Sequence, residues 1–156
     1  MPDLFLSLKL VHLLAAILMV GATVINGLIH NMARKASPAR AEAMLSIVLA
    51  VNRYFMGPSL LALPLTGGGL MWLAGYDFDA LWLLLSIVLS VFLIVAYIFG
   101  ARLEHRLFEI ATSTERTGEP TLPIQYQRVF RKAAPIGSVA LLMSLAALTF
   151  MVFKPY

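Results

Sequence analysis

Four stretches of this chain carry no Asp, Glu, Lys or Arg: residues 10–33, 54–76, 80–101 and 133–153. Each is as long as the roughly 20 residues that cross about 30 Å of hydrocarbon as a helix, or longer. At that depth the backbone must bond to itself, and a helix does so within one segment. Strands of a membrane barrel would be about half this length and would alternate in polarity, which these runs do not. The pattern predicts an all-α protein, a four-transmembrane-helix bundle forming a single membrane domain over residues 1–156.

Breaks in the pattern mark ends and irregularities. Pro135 suits the first turn of the fourth helix, and Pro155 closes it. The second run is interrupted by Gly57-Pro58, by Pro64 and by Gly67-Gly68-Gly69. A proline inside a span frees carbonyls that neighbours must satisfy, so a kink is expected near Pro64. Ser37-Pro38 reads as an N-cap and N1 pair, opening a mixed segment that extends the second helix on the cytoplasmic side. Residues 109–127, with Thr112-Ser113-Thr114, Gly118, Pro120 and Pro123, read as a polar loop. Trp72, Tyr76, Trp82 and Tyr156 gather near one interface as an aromatic belt would.

Composition agrees with a lipid solvent: 60% of residues are hydrophobic and 13% charged, against about a quarter charged in soluble domains. There is no cysteine, which excludes disulfides, thiolate metal sites, iron–sulfur clusters and cysteine nucleophiles. The net charge of +4 does not indicate nucleic acid, because the basic residues sit beside apolar spans rather than along an aromatic-studded stripe. The loop between helices one and two holds Arg34, Lys35, Arg40 and Arg53. The loop between three and four holds Arg102, Arg106, Arg116, Arg128, Arg131 and Lys132, while the opposite face has Lys9 and Lys154. The positive-inside rule puts the ten in the cytoplasm and both termini outside, as in a multi-pass protein of a bacterial inner membrane. Met1-Pro2-Asp3 lacks the positive region of a secretory signal, so the first span is expected to be retained.

Polar residues inside the spans are candidates for function. His12 and His30 are eighteen residues apart, five turns at about 100° per residue, so both lie on one face about 27 Å apart. That face reads His12, Ala16, Met19, Thr23, Asn26, His30 and should turn toward the other helices. Thr23 and Asn26 read as hydrogen-bonding contacts between helices. His12 lies at the depth of Gly67-Gly68-Gly69 on helix two and Ser86 on helix three. The three glycines either admit a neighbouring helix or clear room for a flat ligand. An imidazole is a common axial ligand of haem iron, so His12 is read either as a cofactor or metal ligand or as a plain hydrogen-bonding group. Met71, near the same depth, is the candidate second ligand. At the other end His30 and His105 could meet, although His105 stands among charges in a solvated extension. No carboxylate pair, phosphate loop or Ser-His-Asp set is legible.

These residues carry a resemblance. Leu8-Lys9-Leu10-Val11-His12-Leu13-Leu14-Ala15 resembles the first-helix Lys-x-x-His signature of a group of small four-helix bacterial membrane proteins. Leu65-Thr66-Gly67, Trp82-Leu83 and Met151-Val152-Phe153-Lys154-Pro155 are similar to one member of it, domain-of-unknown-function family 2269. The wider group includes copper-resistance D-type proteins and the membrane protoporphyrinogen oxidase of haem biosynthesis. In the latter, as the resemblance implies, a first-helix histidine and a third-helix lysine matter, and haem b is bound. Only the histidine carries over, onto His12; residues 80–101 contain no lysine. Copper handling would call for soft ligands, which the outer face lacks.

Two functions are expected from this reading. One is a haem-b or porphyrin-binding protein in redox chemistry or haem handling, with His12, His30, Met71, Gly67, Gly68 and Ser86 as cofactor contacts and His12 as metal ligand. The other is an accessory or scaffold subunit without cofactor, binding partners in the bilayer as a homo-oligomer or within a larger membrane complex. A transporter is disfavoured, since no mid-membrane charge or inverted repeat of broken helices is visible.

Overall fold

The computed structural model describes residues 2–75 and 81–153. Five α-helices fill it: α1 (Pro2–Ala33), α2 (Pro38–Val51), α3 (Gly57–Ala74), α4 (Leu81–Arg116) and α5 (Ile124–Phe153). Helices α2 and α3 run on through a π-helical turn, Asn52–Met56, so that four continuous rods result. All four are long and apolar enough to cross a membrane, and no strand occurs among the described residues. Expectations for Tyr76, Lys154, Pro155 and Tyr156 fall outside the described residues.

Punctuation between rods follows backbone chemistry. Ser37 is extended at the start of α2 with Pro38 at the first helical position, but its hydroxyl makes no capping bond. Gly75 ends α3 at φ 66° and Gly118 follows α4 at φ 72°, left-handed values that glycine adopts without a Cβ penalty. Pro64 lies within α3, with helical backbone on both sides.

Two boundaries differ from the sequence expectation. Helix α5 starts at Ile124, so Pro135 is inside it rather than in its first turn. Of residues 109–127, those up to Arg116 belong to α4 and those from Ile124 to α5, leaving a shorter connection. The cause is a second core beyond the charge-free runs. Ala33, Ala41, Leu45, Leu107, Ala111 and Tyr126 are fully buried together there, drawn from α1, α2, α4 and α5. Thr112 also donates to Glu42 across α4 and α2 at 3.0 Å. Burying Tyr126 and Leu107 against α2 rewards helix where polar composition alone suggests loop. This part, which carries most of the Lys and Arg, is the basic end of the bundle.

The apolar half of the bundle has little core of its own. Its outer face exposes Leu10, Ile17, Leu28, Leu65, Val88 and Leu142, as a lipid solvent requires. Inward, Ala15, Ala16, Met19 and Ala22 of α1 are buried. Lipid provides no hydrophobic drive between helices, so small residues and close approach carry the association. At Gly69 an added Cβ would lie 2.5 Å from Leu8 Cδ2, and at Gly67 3.3 Å from His12 Cε1. The α1–α3 seam closes over these two glycines, while Gly68 faces open space.

The π turn also has a local cause. Pro58 has no N–H for the Tyr54 carbonyl and its ring crowds that oxygen, which a wider turn relieves. The Gly57 amide donates to the Asn52 carbonyl, the i→i−5 bond of a π turn. A Cβ on Gly57 would lie 3.0 Å from the Tyr97 hydroxyl and 3.2 Å from that carbonyl. Gly57→Ala is therefore expected to cost about 1–3 kcal/mol by crowding. Gly68→Ala should be neutral or stabilising by up to about 1 kcal/mol, through helix propensity. Thermal unfolding in detergent, followed by tryptophan fluorescence, separates the two; equal melting temperatures would refute the crowding.

Candidate functional site

Asn52, set in the π turn and 5% exposed, gathers polar groups from α1 and α4. Its Oδ1 accepts from Asn26 Nδ2 at 2.8 Å, and its Nδ2 donates to Glu104 Oε2. Its main-chain carbonyl also accepts from the Tyr97 hydroxyl at 3.2 Å. The other Glu104 oxygen, Oε1, is 3.0 Å from His30 Nε2. The side chains of His30 and Glu104 are 13% and 16% exposed, and no Lys or Arg among the described residues pairs with this carboxylate.

An ionised carboxylate only accepts, so His30 Nε2–H and the Asn52 amide both donate to Glu104. In neutral His30 this leaves Nδ1 with a bare lone pair. That atom is buried without a partner, and so is Asn26 Oδ1. The two unmatched acceptors sit one turn apart on α1. A buried acceptor lacking its donor costs about 1–3 kcal/mol, an expense usually explained by a ligand, a water or a function.

Beside this network lies a half-open cavity of about 590 Å³ lined by α1, α3, α4 and α5. Small-molecule sites span about 300–1,000 Å³ and are mainly apolar with a few convergent polar groups. Met19, Leu60, Leu93 and Leu141 supply apolar wall, and Asn26, His30, Tyr97 and Glu104 lie along the polar side. Gly27, Gly100 and Gly137, one each from α1, α4 and α5, also line it. A Cβ at any of the three would meet nothing within 4 Å. These glycines recess the wall, whereas Gly67 and Gly69 admit a neighbour. Toward the basic end Arg34 lines the same cavity, its guanidinium 5.3 Å from the Phe130 ring centroid and its Nε bonded to Asn31 Oδ1 at 2.9 Å. It has no carboxylate partner among the described residues.

The sequence-predicted positions fall into two groups. The α1 stripe does face inward, with Ala16, Met19 and Asn26 buried and His12, Thr23 and His30 partly so. Asn26 and His30 bond across helices, but Thr23 returns its hydroxyl to the Met19 carbonyl of its own helix at 2.8 Å. At the far end His12 Nδ1 is 2.8 Å from Thr66 Oγ1. Since the Thr66 hydroxyl donates to the Ala62 carbonyl at 2.6 Å, His12 must donate through Nδ1–H, leaving Nε2 as its acceptor. Ser86 is buried but bonded to the Trp82 carbonyl of its own helix. Met71 lies one turn beyond Gly67 on α3, half-buried. His105 is 63% exposed and 3.7 Å from Glu109, apart from His30.

Haem, the group implied by resemblance, meets a divided fit. The Thr66 hydroxyl holds the His12 ring through Nδ1, which fixes the ring and leaves Nε2 to bind. The α1–α3 seam, however, is filled by His12 on Gly67 and Leu8 on Gly69, so no macrocycle fits between these helices. Among the described residues no three His, Cys, Asp or Glu side chains converge on a metal position.

A family model for predicted integral membrane proteins, domain of unknown function 2269, matches residues 6–155. The chain belongs to this family. No curated protein and no solved structure matches it. The family match covers α1 to α5 in full apart from the first residues, so both the His12 seam and the Asn52 network lie within the family's domain.

Asn52, Glu104 and Tyr97 were not singled out by the sequence. Asn52 lies just outside the charge-free run and Glu104 just past another, where each reads as interfacial. The available signal was the pair Asn26 and His30, four residues apart on the inward face and in need of partners. Glu104→Ala and His30→Ala should each destabilise by about 1–3 kcal/mol. Their coupling in a double-mutant cycle should be about 0.6 kcal/mol or more. Reversible unfolding in mixed micelles measures this, and additive single effects would break the proposed link.

Proposed function

We propose that this membrane protein binds an amphipathic acid, with an apolar body in the α1–α3–α4–α5 cavity and an anionic head toward Arg34. The observation that carries this is the cavity itself, recessed by three glycines and bordered by the polar network. Arg34 supplies positive charge unmatched by any carboxylate among the described residues, while Glu104 is already engaged by His30 and Asn52. A carboxylate or phosphate head complements that arrangement.

A second reading keeps His12 as the residue that would hold haem b or another porphyrin, which would have to lie outside the closed α1–α3 seam. It is supported by the Nδ1–Thr66 bond, which orients Nε2 as a ligand. Both readings are tested on one preparation. Protein purified in mild detergent from cells supplied with haem is scanned optically and then extracted with solvent for mass spectrometry. The cavity reading expects a co-purified amphipathic acid that falls at least tenfold in Gly137→Leu and Arg34→Gln but not in His12→Ala. A Soret band lost in His12→Ala would support the second reading. An empty extract in every sample would overturn the first, and a colourless protein the second.

The ten Lys and Arg at the basic end against Lys9 and Lys154 support a cytoplasmic basic end, with both termini outside a bacterial inner membrane. The absence of native cysteine makes a direct test simple. A single cysteine at Ser113, exposed beyond α4's apolar run, should resist a membrane-impermeant maleimide in intact spheroplasts and react after lysis. Labelling before lysis would reverse the orientation.

A further inference from the structure

On the opposite side of α4 from the cavity-lining glycine lies a groove of about 680 Å³ between the α2 and α4 rods. Leu49, Asn52, Tyr97 and Ala101 form its floor and Arg53, Arg102, His105, Arg106 and Glu109 its charged rim. Arg102 and Arg106 are four residues apart and so share one face of α4. Arg53 arrives from the π turn, which places it beside them. The groove therefore holds three guanidiniums against one carboxylate, and that carboxylate, Glu109, already faces His105 at 3.7 Å. None of the three arginines has a carboxylate partner among the described residues.

Its depth is as informative as its charge. Residues 80–101 carry no charge and Arg102 is the first charged position of α4, so the groove straddles the end of the apolar span. Arg53 lies 5.9 Å from the Tyr54 ring centroid and Arg102 5.7 Å from that of Phe99, with Tyr54 and Phe99 both exposed on the outer face. Guanidiniums stacked on aromatics at the hydrocarbon edge sit at headgroup level. Three such donors converging on a wet groove match phosphate oxygens, which Arg holds by paired N–H bonds.

We infer that this groove is a binding site for the phosphate of an anionic phospholipid from the leaflet at the basic end. The glycerophosphate lies against Arg53, Arg102 and Arg106, and the acyl chains run along the exposed apolar flank of α4. A zwitterionic lipid offers the same phosphate but brings its own cation to a rim that is already basic, so it binds less well. The inference does not rest on the cavity reading, since none of the three arginines lines that cavity.

The test is native mass spectrometry of full-length protein titrated with dioleoyl-phosphatidylglycerol or dioleoyl-phosphatidylcholine. Wild type should bind the anionic lipid at least tenfold more tightly. The triple variant Arg53→Gln, Arg102→Gln, Arg106→Gln should bring the two lipids within about twofold. A control that removes equal charge outside the groove, Arg116→Gln, Arg128→Gln, Arg131→Gln, should keep the tenfold preference. Equal loss in both triple variants would reduce the effect to general surface charge and overturn the site. Displacement of the lipid by millimolar inorganic phosphate would assign the groove to the free anion and overturn the lipid as occupant. Circular dichroism confirms that each variant is folded, and Arg102→Gln alone, expected to lose at least threefold, provides the readout if the triple variant does not fold.

Discussion

The hydrogen bond from the Asn52 amide to Glu104 is the joint on which the arrangement of the bundle depends. In hydrocarbon no hydrophobic drive selects one helix pairing over another, so a buried polar contact has unusual authority over which faces meet. Asn52 holds α1 through Asn26, α4 through Glu104 and, by its carbonyl, α4 again through Tyr97. It can do so because a π turn re-aims its side chain and frees its carbonyl for a second acceptance. Pro58 gives that turn a reason to form, and Gly57 leaves the room that Tyr97 needs. Three neighbouring choices in sequence, Asn52, Gly57 and Pro58, thus support one three-dimensional junction.

The junction lies between two regimes of packing. Beyond it the rods bury Tyr126, Leu107 and Leu45 completely, as a water-soluble bundle does. On its other side the outer faces are apolar and exposed, and contact between α1 and α3 depends on Gly67 and Gly69. A cavity forms where neither regime fills the space. There Gly27, Gly100 and Gly137 leave the wall without side chains. The network supplies its polar border, and Arg34 gives the end nearest the basic core a positive charge. Across α4, the same junction borders the arginine groove through Asn52 and Tyr97, and Tyr97 lines both spaces.

The spans were legible because charge is expensive in lipid, and its absence over 20 or more residues is a signal needing no partner. The inward direction of the α1 stripe was legible for a related reason, since Asn26 and His30 repeat with the helix. What they bond to was not. Glu104 looks like one more interfacial charge until α4 brings it level with His30, and Gly57-Pro58 marks an interruption without saying that it takes the form of a π turn at Asn52. Glycines misled in an instructive way. The triplet at 67–69 is conspicuous, yet two of its members close a seam, while the isolated Gly27, Gly100 and Gly137 open the cavity. Isolated glycines on three helices share a wall only through tertiary contact. The start of α5 was missed likewise, because Tyr126 is buried by residues far away in sequence.

His30 and Glu104 are bonded inside the assembled bundle, with the imidazole donating through Nε2. Solid-state NMR of protein carrying ¹⁵N-histidine and ¹³C-glutamate in lipid bilayers measures this most directly. Three histidines make assignment tractable. The expected result is a protonated His30 Nε2 with a through-space correlation to the Glu104 carboxyl carbon, abolished in Glu104→Gln while the His12 signals stay in place. A His30 ring with no carboxylate correlation, or one whose Nε2 is unprotonated, would contradict it.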